Sequence, residues 1–188
     1  MSIAATHLRL FFAIDFSVAT KNHIGQTIAD LSDIYQNTEA IHWMDPKKSH
    51  ITLQFLGTVA SNDISHLCEQ ISHALNEISI FNLLIGPVEL FPSTKHPKFI
   101  SLKVSLTEQL LQLVTQLKVA IQATGYPTEQ RAFHPHVTLG KFKHHAVFTS
   151  HYHPFSEEIV VNEVILFQSV PNLHSSHYQP LKRFSLKA

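Results

Sequence analysis

The stretches SHITLQFLG (49–57) and PHVTLGKFK (135–143) share His-hydrophobic-Thr-Leu, with their histidines 86 positions apart. Read as strands, each copy alternates its side chains across a sheet. His50 then faces the same side as Thr52, and His136 the same side as Thr138. Leu53 and Leu139 fall on the other side, as core residues. Each copy follows a turn-forming residue, Ser49 or Pro135, and Gly57 closes the first strand. One such short motif matches by chance too often to mean much. Two copies facing each other would make an acid–base site.

Working outward, LRLFFAID (8–15) is a short apolar run read as a buried strand. It leads into a helix capped by Ser17, with Ile24, Ile28, Leu31 and Tyr35 at helical spacing. IHWM (41–44) is a short strand stopped by DPKKS. A second helix spans about 62–78, with Ile64, Leu67, Ile71 and Leu75 on one face. FNLLIGPVELFP (81–92) and KFISLKVS (98–105) read as paired strands joined by a turn-rich link. A third helix ends at Gly125, a residue suited to the position just past a helix. HVTLGKF, EEIVVNEVILFQS (157–169, taken as one strand) and YQPLKRFSL (178–186) complete the order. Strands after the third helix are joined by loops alone, so a mixed, largely antiparallel α+β arrangement fits better than a doubly wound parallel sheet. No Pro- or Gly-rich linker divides the chain, and the repeat points to two pseudo-symmetric lobes within one domain, 1–188.

The chain has 188 residues, 44% hydrophobic and 15% charged, with 14 basic residues against 14 acidic ones. That is globular composition, and its neutrality argues against coating long nucleic acid through bulk charge. It leaves room for a site that holds one phosphate or one RNA end. Cys68 is alone and cannot form an internal disulfide; it reads as a buried helical thiol in a reducing compartment. The apolar run near the start lacks a basic lead and is bounded by Arg9 and Asp15, unlike a signal peptide or membrane span. The expectation is a cytoplasmic monomer with no membrane association. Most of the 15 histidines read as surface residues.

Two opposed imidazoles divide the work of a displacement. The neutral one takes a proton from the attacking water or hydroxyl, and the charged one gives a proton to the leaving oxygen. Thr52 and Thr138 can hydrogen-bond oxyanions held between them. A phosphodiester fits that arrangement, and neither metal nor other cofactor is needed. Two rivals stand beside this reading. HPH (134–136) and HYH (151–153) offer imidazole pairs to zinc, although no His-Glu-x-x-His or paired-cysteine motif accompanies them. A non-catalytic module for RNA ends or nucleotides is the other.

The chain resembles the 2H phosphoesterase superfamily, and within it the RNA 2′,3′-cyclic phosphodiesterases once described as 2′–5′ RNA ligases. RLFFAID, HWMDPKKSHITLQFLG, FHPHVTLGKF and LFQSVPNLHSSHYQPLKRFSL carry the resemblance. It implies a bilobal fold, with antiparallel sheets lining a central cleft, helices outside, and one motif on each lobe. It also implies His50 as proton donor to the ribose O3′, His136 as proton acceptor from water, and a 2′-phosphomonoester product. The substrate would be an RNA terminus or small nucleotide bearing a 2′,3′-cyclic phosphate, with ADP-ribose cyclic phosphate and 2′,5′-linked oligonucleotides as alternatives within the superfamily. Where relatives often carry an arginine after the second motif, this chain has Lys141. It can neutralise a phosphate without the bidentate fork, or it can be a solvated surface residue. Ser175, Ser176 and His177 precede Tyr178 where relatives usually carry a glycine. Phe12 and Trp43 are the aromatic candidates to stack on a base, with core packing as the alternative for each.

Overall fold

The computed structural model describes residues 6–35, 38–143, 154–172 and 176–188. Nine strands and three α-helices are formed among these residues: β1 (His7–Asp15), α1 (Val18–Tyr35), β2 (Ile41–Trp43), β3 (His50–Ala60), α2 (Ile64–Leu75), β4 (Phe81–Phe91), β5 (Phe99–Val104), α3 (Glu108–Ala123), β6 (His136–Phe142), β7 (Glu157–Val161), β8 (Glu163–Pro171) and β9 (Ser176–Ser185). One sheet has the order β3-β1-β8-β9 and the other β2-β6-β5-β4-β7. Every pairing between these strands is antiparallel. The α+β, antiparallel reading holds.

The helices form where their periodicity places them. Ser17 caps α1, its Oγ accepting from the Thr20 amide at 3.1 Å, and Ile24, Ile28 and Leu31 are buried beneath it. In α2, Leu67, Ile71 and Leu75 form the buried face. Thr107 caps α3 by accepting from the Leu110 amide at 3.2 Å. The helix stops at Gly125, whose φ of 85° is readily adopted by a residue without a Cβ. Helices α2 and α3 pack on each other, α2 also touching β9 and α3 touching β3, while α1 lies against β6. Buried side chains from both sheets and all three helices join into one large cluster.

Two strand readings are corrected. EEIVVNEVILFQS is two strands, β7 and β8, separated by Asn162 alone and belonging to different sheets. Periodicity could not show this, because both pieces are apolar and β-branched. Gly57 does not close β3. It sits inside the strand with φ 69°, next to a bulge at which Leu56 has no partner on β1.

Candidate active site

Both motif copies line one cleft of about 530 Å³, together with Met44, Ser49, Phe55, Phe91, Phe99, Arg131, Lys141 and Tyr178. His50 and Thr52 come from β3, an edge of the first sheet; His136 and Thr138 come from β6 in the second. The sequence rule that pairs each His with its Thr on one face is met at both.

The two imidazoles are anchored alike. His50 Nδ1 lies 2.7 Å from the carbonyl oxygen of Lys48, and His136 Nδ1 lies 2.8 Å from that of His134. A carbonyl only accepts, so each Nδ1 carries the proton and each Nε2 is left for proton exchange. His50 Nε2 is 3.1 Å from Thr52 Oγ1. In the neutral ring the threonine donates to Nε2, and in the charged ring Nε2 donates to the threonine.

Their surroundings differ. His50 is half-buried against Phe11 and Tyr178, with ring centroids 5.2 Å away from Tyr178, which sits edge-on, and 5.2 Å from Phe11. Burial pushes its pKa below the ordinary histidine value. The Lys48 carbonyl and the Asp15 charge act in the opposite direction, while Lys21 and His136 add to the lowering. Asp15 is the register partner of His50 on β1 and is held 2.6 Å from Lys21. His136 instead stacks on Phe91, with centroids 4.6 Å apart and planes 18° apart.

Lys141 reaches the cleft through a bulge. Ser101 pairs with Thr138 and Ile100 with Gly140, so Leu139 has no partner on β5. The extra residue resets the alternation, and Lys141 faces the cleft as Thr138 does.

Both aromatic candidates fail. Phe12 is completely buried in the main cluster. An unbroken apolar run gives no parity signal, and the neighbour, Phe11, is the one that faces His50. Trp43 shares its strand face with the buried Ile41 and packs over Gly140, on the core side of the sheet. Met44, just past the end of β2, lines the cleft in its place.

Several lining residues escaped the sequence reading: Ser49, Phe55, Phe91, Arg131 and Tyr178. Ser49 is buried, and its hydroxyl has no hydrogen-bond partner among the described residues. Arg131 pairs with Glu129 at 2.6 Å, and that hydrogen bond brings the Glu129 carboxyl down to about 2. No sequence spacing announced these residues, because separate strands and bulges bring them together. Among the described residues no group of three His, Cys, Asp or Glu side chains is placed to hold a metal; HYH (151–153) lies outside them. Cys68 on α2 is partly exposed, and burial raises its thiol pKa.

The model of the 2′-5′ RNA ligase superfamily matches residues 26–168. The chain belongs to that superfamily. Within it, an RNA 2′,3′-cyclic phosphodiesterase of Bacillus subtilis is 29% identical over 148 residues, covering 77% of this chain and 80% of that protein. One from Thermotoga maritima is 26% identical over 138 residues, covering 73% and 72%. Escherichia coli LigT, solved in complex with 3′-AMP, superposes with a TM-score of 0.80 at 25% identity, covering 97% of this chain and all of that one. A solved structure from Thermus thermophilus superposes with a TM-score of 0.82 at 21% identity, covering 95% and 98%, and shares the fold. This member of the superfamily therefore has the LigT-like α+β architecture and the family's phosphoesterase character.

Proposed function

We propose that the protein is an RNA 2′,3′-cyclic phosphodiesterase that hydrolyses a terminal cyclic phosphate to a 2′-phosphomonoester. One observation carries the reading: both imidazoles, each pinned through Nδ1, share one cleft with both threonines. Relatives named for that activity support it.

In the proposed reaction a water molecule attacks phosphorus in line with the bond to O3′. His136 Nε2 accepts the proton of that water as the new P–O bond forms. The P–O3′ bond breaks, and its electron pair stays on O3′, which takes a proton from His50 Nε2. The phosphate remains on O2′. Thr52 and Thr138 donate to the non-bridging oxygens, and Lys141 offsets the developing charge. The seat for the reaction needs no metal or organic cofactor, since acid, base and oxyanion donors are side chains of this chain.

His50 must carry a proton to act, although burial lowers its pKa. The substrate answers that conflict, because a phosphodiester anion beside the ring favours the imidazolium. Once charged, a low-pKa imidazole is the stronger acid toward an alkoxide leaving group.

The test is incubation of an RNA ending in a 2′,3′-cyclic phosphate with excess EDTA, followed by location of the phosphate in the product. Full turnover to a 2′-phosphate is expected. A 3′-phosphate product, or activity restored only by a divalent cation, defeats the mechanism. Tight binding without turnover would mark an RNA-end binding module instead.

A further inference from the structure

Ser101, on β5 in the second sheet, is completely buried, and its hydroxyl has no hydrogen-bond partner among the described residues. A hydroxyl cut off from water and left unpaired is destabilising by its full desolvation penalty. Alanine would fit the same space without that penalty.

Register says what surrounds the hydroxyl. Ser101 pairs with Thr138 on β6 and with Glu89 on β4, so all three side chains project from one face of the sheet. It is the face that carries Thr138 into the cleft. Two residues along β5 in either direction, Lys103 pairs with His136, and Phe99 pairs with Phe91 on β4. Ser101 is thus the midpoint of the diagonal from His136 to Phe91, whose rings stack with centroids 4.6 Å apart. That stack lies over the hydroxyl and shuts out water. Thr138 and Glu89 are the oxygen-bearing side chains directly across from it.

The two motifs differ at their threonines. Thr52 Oγ1 lies 3.1 Å from His50 Nε2, whereas no such contact joins Thr138 to His136 among the described residues. We propose that Ser101 is a positioning residue: when a phosphate occupies the cleft, its hydroxyl donates to Thr138 Oγ1 and aims the Thr138 hydrogen at a non-bridging oxygen. This inference rests on the phosphodiester seat proposed above. Thr138 has one hydrogen, which goes to the phosphate, and lone pairs that accept from Ser101. Side chains directly opposite on antiparallel strands are close enough for a turn about the Ser101 Cα–Cβ bond to bring the two oxygens into range. Once its hydrogen is drawn to the anion, Thr138 Oγ1 becomes the better acceptor, and the two bonds strengthen each other. The penalty of the buried hydroxyl is then relieved only in the complex.

The test combines stability with binding. Ser101→Ala should resist denaturant at least as well as wild type, because it deletes an unpaired buried hydroxyl. The same variant should bind adenosine 2′-monophosphate about threefold to tenfold more weakly by calorimetry. Its kcat on a cyclic-phosphate RNA should fall by a similar factor. The binding loss should persist in a Thr138→Ser background, which keeps a hydroxyl there, and vanish in Thr138→Val, which does not. A packing role alone would show no such dependence. Ser101→Ala less stable than wild type overturns the proposal, since the hydroxyl would then be paired already in the free protein. Unchanged binding overturns it too, as does a loss that survives Thr138→Val or that vanishes in Glu89→Ala, which would make Glu89 the acceptor. If the binding pattern holds while no cyclic phosphate is hydrolysed, the role of Ser101 stands and the phosphodiesterase reading falls.

Discussion

Each motif imidazole is held by the same device, a bond from Nδ1 to the carbonyl two residues earlier, at Lys48 for one and His134 for the other. In the proposed mechanism the two rings serve one proton circuit, so His50→Ala and His136→Ala should each remove most turnover, and the double variant should lose little more. Steady-state rates on a cyclic-phosphate RNA check this, and simple additivity would separate the two roles. Thr52→Ala and Thr138→Ala remove one hydrogen bond each and should cost about 1–3 kcal/mol of transition-state binding. The pH profile follows from the lowered pKa of His50. In the proposed mechanism the free enzyme needs the charged ring, so kcat/KM should fall as pH rises through a value below about 6.5. In the complex the phosphate anion raises that value, so the alkaline limb of kcat should lie at higher pH than that of kcat/KM. Asp15→Asn removes a charge that favours the imidazolium and should move the kcat/KM limb further toward acid. A limb that stays in place would show that Asp15 does not act on the ring. The paired His and Thr were legible in the sequence because a strand's period of two is strict over three residues. The aromatic partners were not, since LFFA offers no polar residue to mark which ring faces inward.

Strand irregularities decide which other side chains reach the cleft. The unpaired Leu53 turns Phe55 outward, and the unpaired Leu139 turns Lys141 inward. A bulge leaves no clear mark in one sequence, so Phe55 and the orientation of Lys141 lay beyond a reading based on alternation. Helices were easier, because a buried face repeated over several turns survives local noise, as in α2. Gly140 shows how closely these elements fit. A Cβ there would lie 2.9 Å from Ile41 Cγ2 and 2.9 Å from Trp43 Cε3. Gly140→Ala should therefore push β2 away from β6 and destabilise the fold by about 1–3 kcal/mol through overpacking. Denaturant unfolding measures it, and a stability equal to wild type would mean that the Trp43 ring shifts freely.

Neither sheet is built from one continuous stretch of chain. β1 and β3 pair with or beside β8 from the far end of the sequence, while β2 leaves its neighbours to join β6. The α+β class was legible from element order, yet this interleaving was not: the chain passes between the sheets four times, and the last passage, from β7 to β8, occupies only Asn162. That residue is exposed, and its carbonyl accepts from the Leu186 amide at 2.8 Å. Inserting two glycines after Asn162 should lower kcat on cyclic-phosphate RNA at least tenfold if the sheets lose their mutual alignment, with His50 and His136 still present. Rates at saturating substrate, with circular dichroism to check folding, decide it; a folded insertion variant with wild-type kcat would show that side-chain packing alone sets the spacing. Asn162 thus works as the pin of a very short coupling. A ligand that pries the walls apart must therefore work against the covalent chain at this joint as well as against the shared core.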